Sequence, residues 1–159
     1  MVDKADGAQI YTQYWDGFIA FAESVEPNLV ADHYLSLDKH YLGFPCKASR
    51  IHFALYAYVN TPICCGLVLD GPNTRRFLLE VLECRERLIA KDLQIDLAYI
   101  TCSHYRESRR LYVQHSNFNF LDAKTHNAQY DWMLDMLGRF RRYFPGEMTK
   151  IYQFLDMYQ

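Results

Sequence analysis

No stretch of this chain is apolar for long enough to cross a bilayer. Its longest apolar runs, Ile51–Val59 and Pro62–Leu69, are strand-length, well short of the roughly 18 residues a spanning helix needs. Glycine and proline are scarce, 7 and 5 among 159 residues, which excludes a collagen-like or low-complexity chain. Net charge is also small, −2, whereas a chain dominated by duplex binding carries a marked basic excess to meet phosphates. No Cys-x-x-Cys occurs, so neither a zinc ribbon nor a thioredoxin-type pair is supported. The 6 histidines never fall at helical i, i+4 metal spacing, and His33 and His40 lie seven apart in a weakly patterned stretch; no metal and no cofactor is expected. The opening Met1–Asp6 is polar and partly acidic and lacks the basic and apolar regions of a secretion signal. The 5 cysteines (46, 64, 65, 84 and 102) are odd in number, which fits free thiols in a reducing compartment. A cytoplasmic protein with no membrane partner is the expectation.

What the chain does have is apolar and aromatic residues. Half of it is hydrophobic, and 13 Tyr, 10 Phe and 2 Trp make it 16% aromatic. A single domain of this length buries roughly 68–70% of the surface its unfolded chain exposes and folds without a staple. Charge is unevenly placed. Residues 1–70 carry 4 Lys/Arg against 8 Asp/Glu, and residues 71–159 carry 13 against 11. Arg75-Arg76, Arg106, Arg109-Arg110, Arg139 and Arg141-Arg142 read either as a local basic patch or as solvated charges beside Glu80, Glu83, Glu86 and Asp135.

Periodicity predicts a helix from Ala8 to about Ser24, with Ile10, Tyr14, Phe18 and Phe21 on one face and Glu26-Pro27-Asn28 as its stop. Tyr34–Leu42 is a candidate first strand. Arg50–Val59 is the strongest strand signal, with Ile51, Phe53, Leu55 and Ala57 on one face and His52, Tyr56 and Tyr58 on the other. Asn60-Thr61-Pro62 turns into an antiparallel return strand, Ile63–Leu69, on which the adjacent Cys64 and Cys65 face opposite sides. A long central helix follows from an Asn73 N-cap to Lys91, buried through Phe77, Leu78, Val81, Leu82, Leu88 and Ile89. Gln94–Cys102 and Arg110–His115 form a second hairpin around the polar turn Arg106–Arg109. A last helix spans about Ala128 to Tyr143 and ends at Pro145-Gly146. This order predicts one compact α+β domain over residues 1–159, with 146–159 as a docked apolar tail.

Catalytic constellations fail one by one. Asp70-Gly71-Pro72-Asn73 has one glycine and a proline without an amide proton, which is no phosphate cradle. Cys102 and His104 would share a strand face, but no third group orients the histidine as nucleophilic catalysis requires. Helix, three strands, helix, strand is also the core order of PD-(D/E)XK nucleases, whose central strands hold a metal through acids and a lysine. Ile51–Val59 has no acid or lysine, and Ile63–Leu69 has none before Asp70. A non-catalytic chain is expected.

Tyr14-Trp15-Asp16-Gly17-Phe18, Ser49-Arg50-Ile51-His52, the Asn73…Phe77-Leu78…Leu82 helix and Asp131-Trp132…Leu137…Phe140…Phe144 carry a resemblance that spans residues 9 to 146. On them the chain resembles an uncharacterised prokaryotic domain family, often found C-terminal to PD-(D/E)XK-like nuclease domains in restriction- or defence-type proteins. Lys91-Asp92-Leu93 stands where that family would carry a longer acidic, glycine-containing tract. The resemblance implies an accessory role in a defence setting, which it draws from neighbouring domains and from no residue here.

A binding module remains. The favoured reading is protein–protein contact or self-association as a homo-oligomer, through an apolar tail in which Ile151, Phe154 and Leu155 need a surface to cover. The alternative is a nucleic-acid-binding face on which His52, Tyr56 and Tyr58 form a platform flanked by Arg50, Arg106, Arg109 and Arg110. Against that platform stands a plain packing role for the tyrosines, and Trp15 and Trp132 are expected in the core.

Overall fold

The computed structural model describes residues 4–46, 51–69, 75–103 and 110–157, the side chains of 4–6, 75–77 and 155 excepted. The elements in chain order are α1 (Lys4–Val25), α2 (Pro27–Val30), β1 (Tyr34–Leu35), β2 (Tyr41–Pro45), β3 (Ile51–Tyr56), β4 (Ile63–Leu69), α3 (Arg75–Cys84), α4 (Glu86–Leu93), β5 (Ile100–Ser103), β6 (Arg110–His115) and α5 (His126–Asp156). The six strands form one antiparallel sheet in the order β1-β2-β3-β4-β6-β5. This is the expected α+β domain.

Period-two alternation divides the strands between two faces. Leu42 and Phe44, Ile51, Phe53 and Leu55, Ile63, Cys65 and Leu67, and Leu111 and Val113 all enter one core with the helices. The helices supply Tyr14, Trp15 and Phe18 from α1, Leu78, Leu79 and Leu82 from α3, Ile89 and Leu93 from α4, and a stripe from Tyr130 to Ile151 along α5. Trp15 is almost fully buried, and Trp132 packs half-buried against the same core.

α1 and α5 touch at close range. A Cβ on Gly17 would lie 2.6 Å from the Tyr130 hydroxyl, which donates to the Tyr14 carbonyl at 3.0 Å. Only a residue without a side chain admits that approach. α1 also fixes the β1–β2 turn, because the Trp15 indole N–H donates to the Lys39 carbonyl at 2.9 Å.

α1 begins at Lys4 and not Ala8, β3 ends at Tyr56 and not Val59, and the expected Asn73 cap lies outside the described residues; four further boundaries depart from the sequence reading. Tyr34–Leu42 is not one strand but the two-residue β1, a turn and the start of β2. Asp38 organises the turn by accepting from the Ser36 hydroxyl at 2.7 Å, and Lys39 takes a positive φ of 59°. The central helix breaks at Arg85, which leaves helical backbone at φ −106°, ψ 2° and pairs its guanidinium with Glu147 of α5. Leu88 is consequently on the margin, 42% exposed rather than part of the stripe. The strand assigned to Gln94–Cys102 begins only at Ile100. Gln94 caps α4 in the left-handed region, and Asp96 caps a 3-10 turn at Leu97–Tyr99 by accepting from the Ala98 amide. Leu97 and Tyr99 therefore point to solvent. Finally, α5 passes through Pro145 and Gly146 and ends at Asp156. Proline removes one ladder donor, but Phe144, Met148 and Ile151 are buried across the site, and that burial outweighs the lost bond. The tail is thus a continuation of α5.

Candidate functional site

Among the described residues, no helix residue belongs to the cluster on the second face of the sheet, which consists of Ala54, Tyr56 and Val68 with Tyr41, Tyr58 and Cys64 packed on them. The register explains its shape. Gly43, Ala54 and Gly66 stand opposite one another across β2, β3 and β4, between Tyr34 on β1 and Tyr112 on β6. This row of small residues is a trough, and tyrosine rings lie down in it: Tyr34 lies over Gly43, and Tyr56 and Tyr112 approach Gly66.

Three predicted site residues meet on this face. Tyr56 is 5% exposed, and its ring stacks beside Tyr58 with centroids 6.0 Å apart and planes within 14°. Arg110 places its guanidinium over the Tyr56 ring at 4.5 Å and over the Tyr112 ring at 5.1 Å, a cation–π sandwich. Burial pushes the Tyr56 phenol up to about 12 despite the nearby guanidinium, and burial likewise raises the Cys64 thiol to about 11. His52 lies farther along, half-buried, with its ring 6.5 Å from that of Tyr34. Arg50, Arg106 and Arg109 lie outside the described residues, as does the polar turn that holds the latter two. The platform differs from the expectation in one respect: the Tyr56 face is already occupied by Arg110, so it offers no free ring for stacking.

The apolar tail separates into two roles. Ile151 is buried at 5% and belongs to the core, while Phe154 is 58% exposed; the side chain of Leu155 is outside the described set. Between α3 and the end of α5 lies a groove of about 620 Å³, whose apolar lining is Val81, Cys84, Ile151 and Phe154. Its polar end is an ion pair between Arg85 and Glu147, with the Lys150 ammonium 3.8 Å from the same carboxylate. Glu147 is 4% exposed, so this charge depends on its partners. The sequence reading missed Glu147. Its signal was a lone acid on the buried stripe between Phe144 and Met148.

Cys102 is half-buried, and its thiol is pushed well up by burial first, then by Glu86 and Glu83; an activated cysteine nucleophile has the opposite shift. His104 lies outside the described residues. Among the described residues, no group of three His, Cys, Asp or Glu is placed to hold a metal, and no helix is long and apolar enough to cross a membrane.

The family described as Domain of unknown function (DUF4268) matches residues 10–146, and the chain belongs to it. No curated protein and no solved structure matches the chain.

Proposed function

We propose that this member of the family is a non-catalytic interaction module that works by protein–protein contact, with a second copy of itself as the first partner. The observation that carries this reading is the α3–α5 groove with Phe154 at its rim. An aromatic ring left mostly in water beside an apolar groove of about 620 Å³ is the arrangement in which a buried anchor contributes most of a contact's energy. A two-fold contact through this groove would be isologous, with the same patch contributed by both copies. In the setting the resemblance implies, such a contact would hold the domain as an accessory of a restriction- or defence-type assembly.

Light scattering in line with size exclusion tests the reading. The chain should elute at twice its 18.8 kDa mass, and Phe154→Asp should return it to one copy without lowering its unfolding temperature. A wild-type monomer at micromolar concentration, or a dimer indifferent to Phe154→Asp, overturns it.

A second reading rests on the sheet face that no described helix covers. Half-buried Tyr58 and Tyr112 lie beside the Arg110 charge, with His52 farther along the same face, a composition that suits single-stranded nucleic acid. Labelled single-stranded DNA added to the same column at two salt concentrations decides it. A complex lost at the higher salt and in Arg110→Ala supports this face as the site; no complex at the lower salt removes the reading.

A further inference from the structure

The far edge of the sheet contains a cavity that neither reading uses. β5 starts at Ile100, opposite Val113, whereas β4 accompanies β6 as far as Ile63 opposite His115. Gln114 and His115 are therefore paired on one side only among the described residues. Into the gap opens a cavity of about 380 Å³, closed by α5 and by the end of α4. This is the size of the smaller ligand sites, which run from about 300 to 1,000 Å³.

Its walls carry aromatic rings, amide side chains and one ion pair, Asp135 with Arg139. Trp132 meets the His115 ring edge-on at 5.4 Å, His115 stacks on Phe118 at 3.9 Å, and Tyr99 stands at the mouth, 45% exposed. Burial holds His115 below its usual range, so the imidazole is neutral near pH 7. Arg139 is the cation among the described lining residues, and it is committed. It donates to Asp135 through Nε and Nη2 at 3.2 and 2.8 Å, and through Nη1 to the Leu93 and Gln94 carbonyls at 2.9 and 3.1 Å. Neutral amide side chains, Gln94 and Asn117 among them, complete the lining. A phosphate or carboxylate finds no uncommitted cation there. A flat ring with donors and acceptors along its edge finds both a stacking wall and amide partners.

We propose that this cavity is a binding site for an uncharged, planar nitrogen heterocycle of the nucleobase class, stacked on Tyr99 and Trp132 and read along its edge at Gln114–Asn117. The site is independent of the α3–α5 groove and stands whether or not the chain self-associates.

Saturation-transfer NMR on the full chain with adenosine, guanosine, cytidine and uridine tests it, with adenosine 5′-monophosphate as a charged comparison. At least one nucleoside should show transfer to its base protons at millimolar concentration. Tryptophan emission should change in parallel, because Trp15 is sealed at 1% exposure and Trp132 is the accessible indole. Asn117→Phe, on an exposed position, should fill the cavity and abolish both signals with an unchanged unfolding temperature. Should that variant fail to fold, Tyr99→Ala serves instead and should weaken binding on the order of tenfold. Absence of transfer from every nucleoside, transfer that survives these substitutions, or a monophosphate that binds far more tightly than its nucleoside overturns the proposal.

Discussion

Gln129 is a fully buried amide, 0% exposed, at the start of α5. Its oxygen accepts from the Tyr14 hydroxyl at 2.7 Å, and its nitrogen donates to the Asn119 carbonyl at 2.8 Å and the Thr125 hydroxyl at 2.7 Å. Tyr14→Phe deletes only the first of these. The ring stays and keeps its neighbours Phe120, His126 and Tyr130 at 5.0–5.4 Å, so no packing term enters. What is lost is the donor to an oxygen that water does not reach, at a cost of about 1–3 kcal/mol. In a domain of this length each kcal/mol moves the melting temperature by about 2–4 °C, so a fall of about 2–12 °C follows. Urea and thermal unfolding followed by circular dichroism measure it. Two companions sharpen the reading. Tyr143→Phe removes a longer bond, 3.3 Å to Asp92 at the surface, and should change stability by less than about 0.5 kcal/mol. In a Gln129→Leu background the acceptor is gone, so Tyr14→Phe should cost measurably less than in the wild type. A Tyr14→Phe chain as stable as wild type, or an equal cost in both backgrounds, refutes the buried network.

Two further outcomes follow from the same helices and from the sheet. Gly17→Ala should lower the urea midpoint, because a methyl 2.6 Å from a pinned Tyr130 hydroxyl costs about 1–3 kcal/mol, more than the gain of about 1 kcal/mol in helix propensity; Gly7→Ala, with nothing within 4 Å of its added carbon, should instead raise it, and equal effects at the two glycines would remove the close approach. Stability should also fall at alkaline pH. Burial raises the Tyr56 phenol from 10.0 to about 12 and drives that of Tyr14 up further, so the native state keeps protons that the unfolded chain releases. That stability is fully present below about pH 10 and is lost as the pH climbs through the raised values. Denaturant titrations across this interval should show the loss, diminished in Tyr56→Phe, and a flat profile would contradict it.

Much of the fold was written in local pattern. Alternation assigned the faces of Ile51–Leu55 correctly and set Cys64 and Cys65 on opposite sides of their strand; the structure puts Cys65 in the core and Cys64 on the other face. Helix punctuation was less reliable, and each failure has a tertiary cause. Pro145-Gly146 is a stop signal in isolation, yet the residues beyond it are held by a core that the local sequence does not display. Arg85 carries no breaker signal, and its helix divides where the side chain finds Glu147, a partner 62 positions away by residue number. Gln94 takes a left-handed cap usually given to glycine, so the helix stops close to the Lys91 end read from the sequence, but the cap and the turn after it were read as strand.

The candidate site shows the same division between period and register. Period two placed His52, Tyr56 and Tyr58 together and away from the core, and the structure agrees. Whether those rings face solvent depends on what lies beside them in neighbouring strands. Gly43, Ala54 and Gly66 are far apart in sequence and meet only through pairing, and their missing bulk lets the tyrosines lie flat on the sheet. Arg110 then settles between two of the rings. Aromatic surface that looked available for a ligand is thereby spent inside the molecule, closing a sheet face that no described helix covers. Phe154 has no such trough beneath it and remains mostly exposed. An aromatic ring is therefore drawn into the fold where small residues on neighbouring strands make room for it, and that room is set by register and not by the period of its own strand.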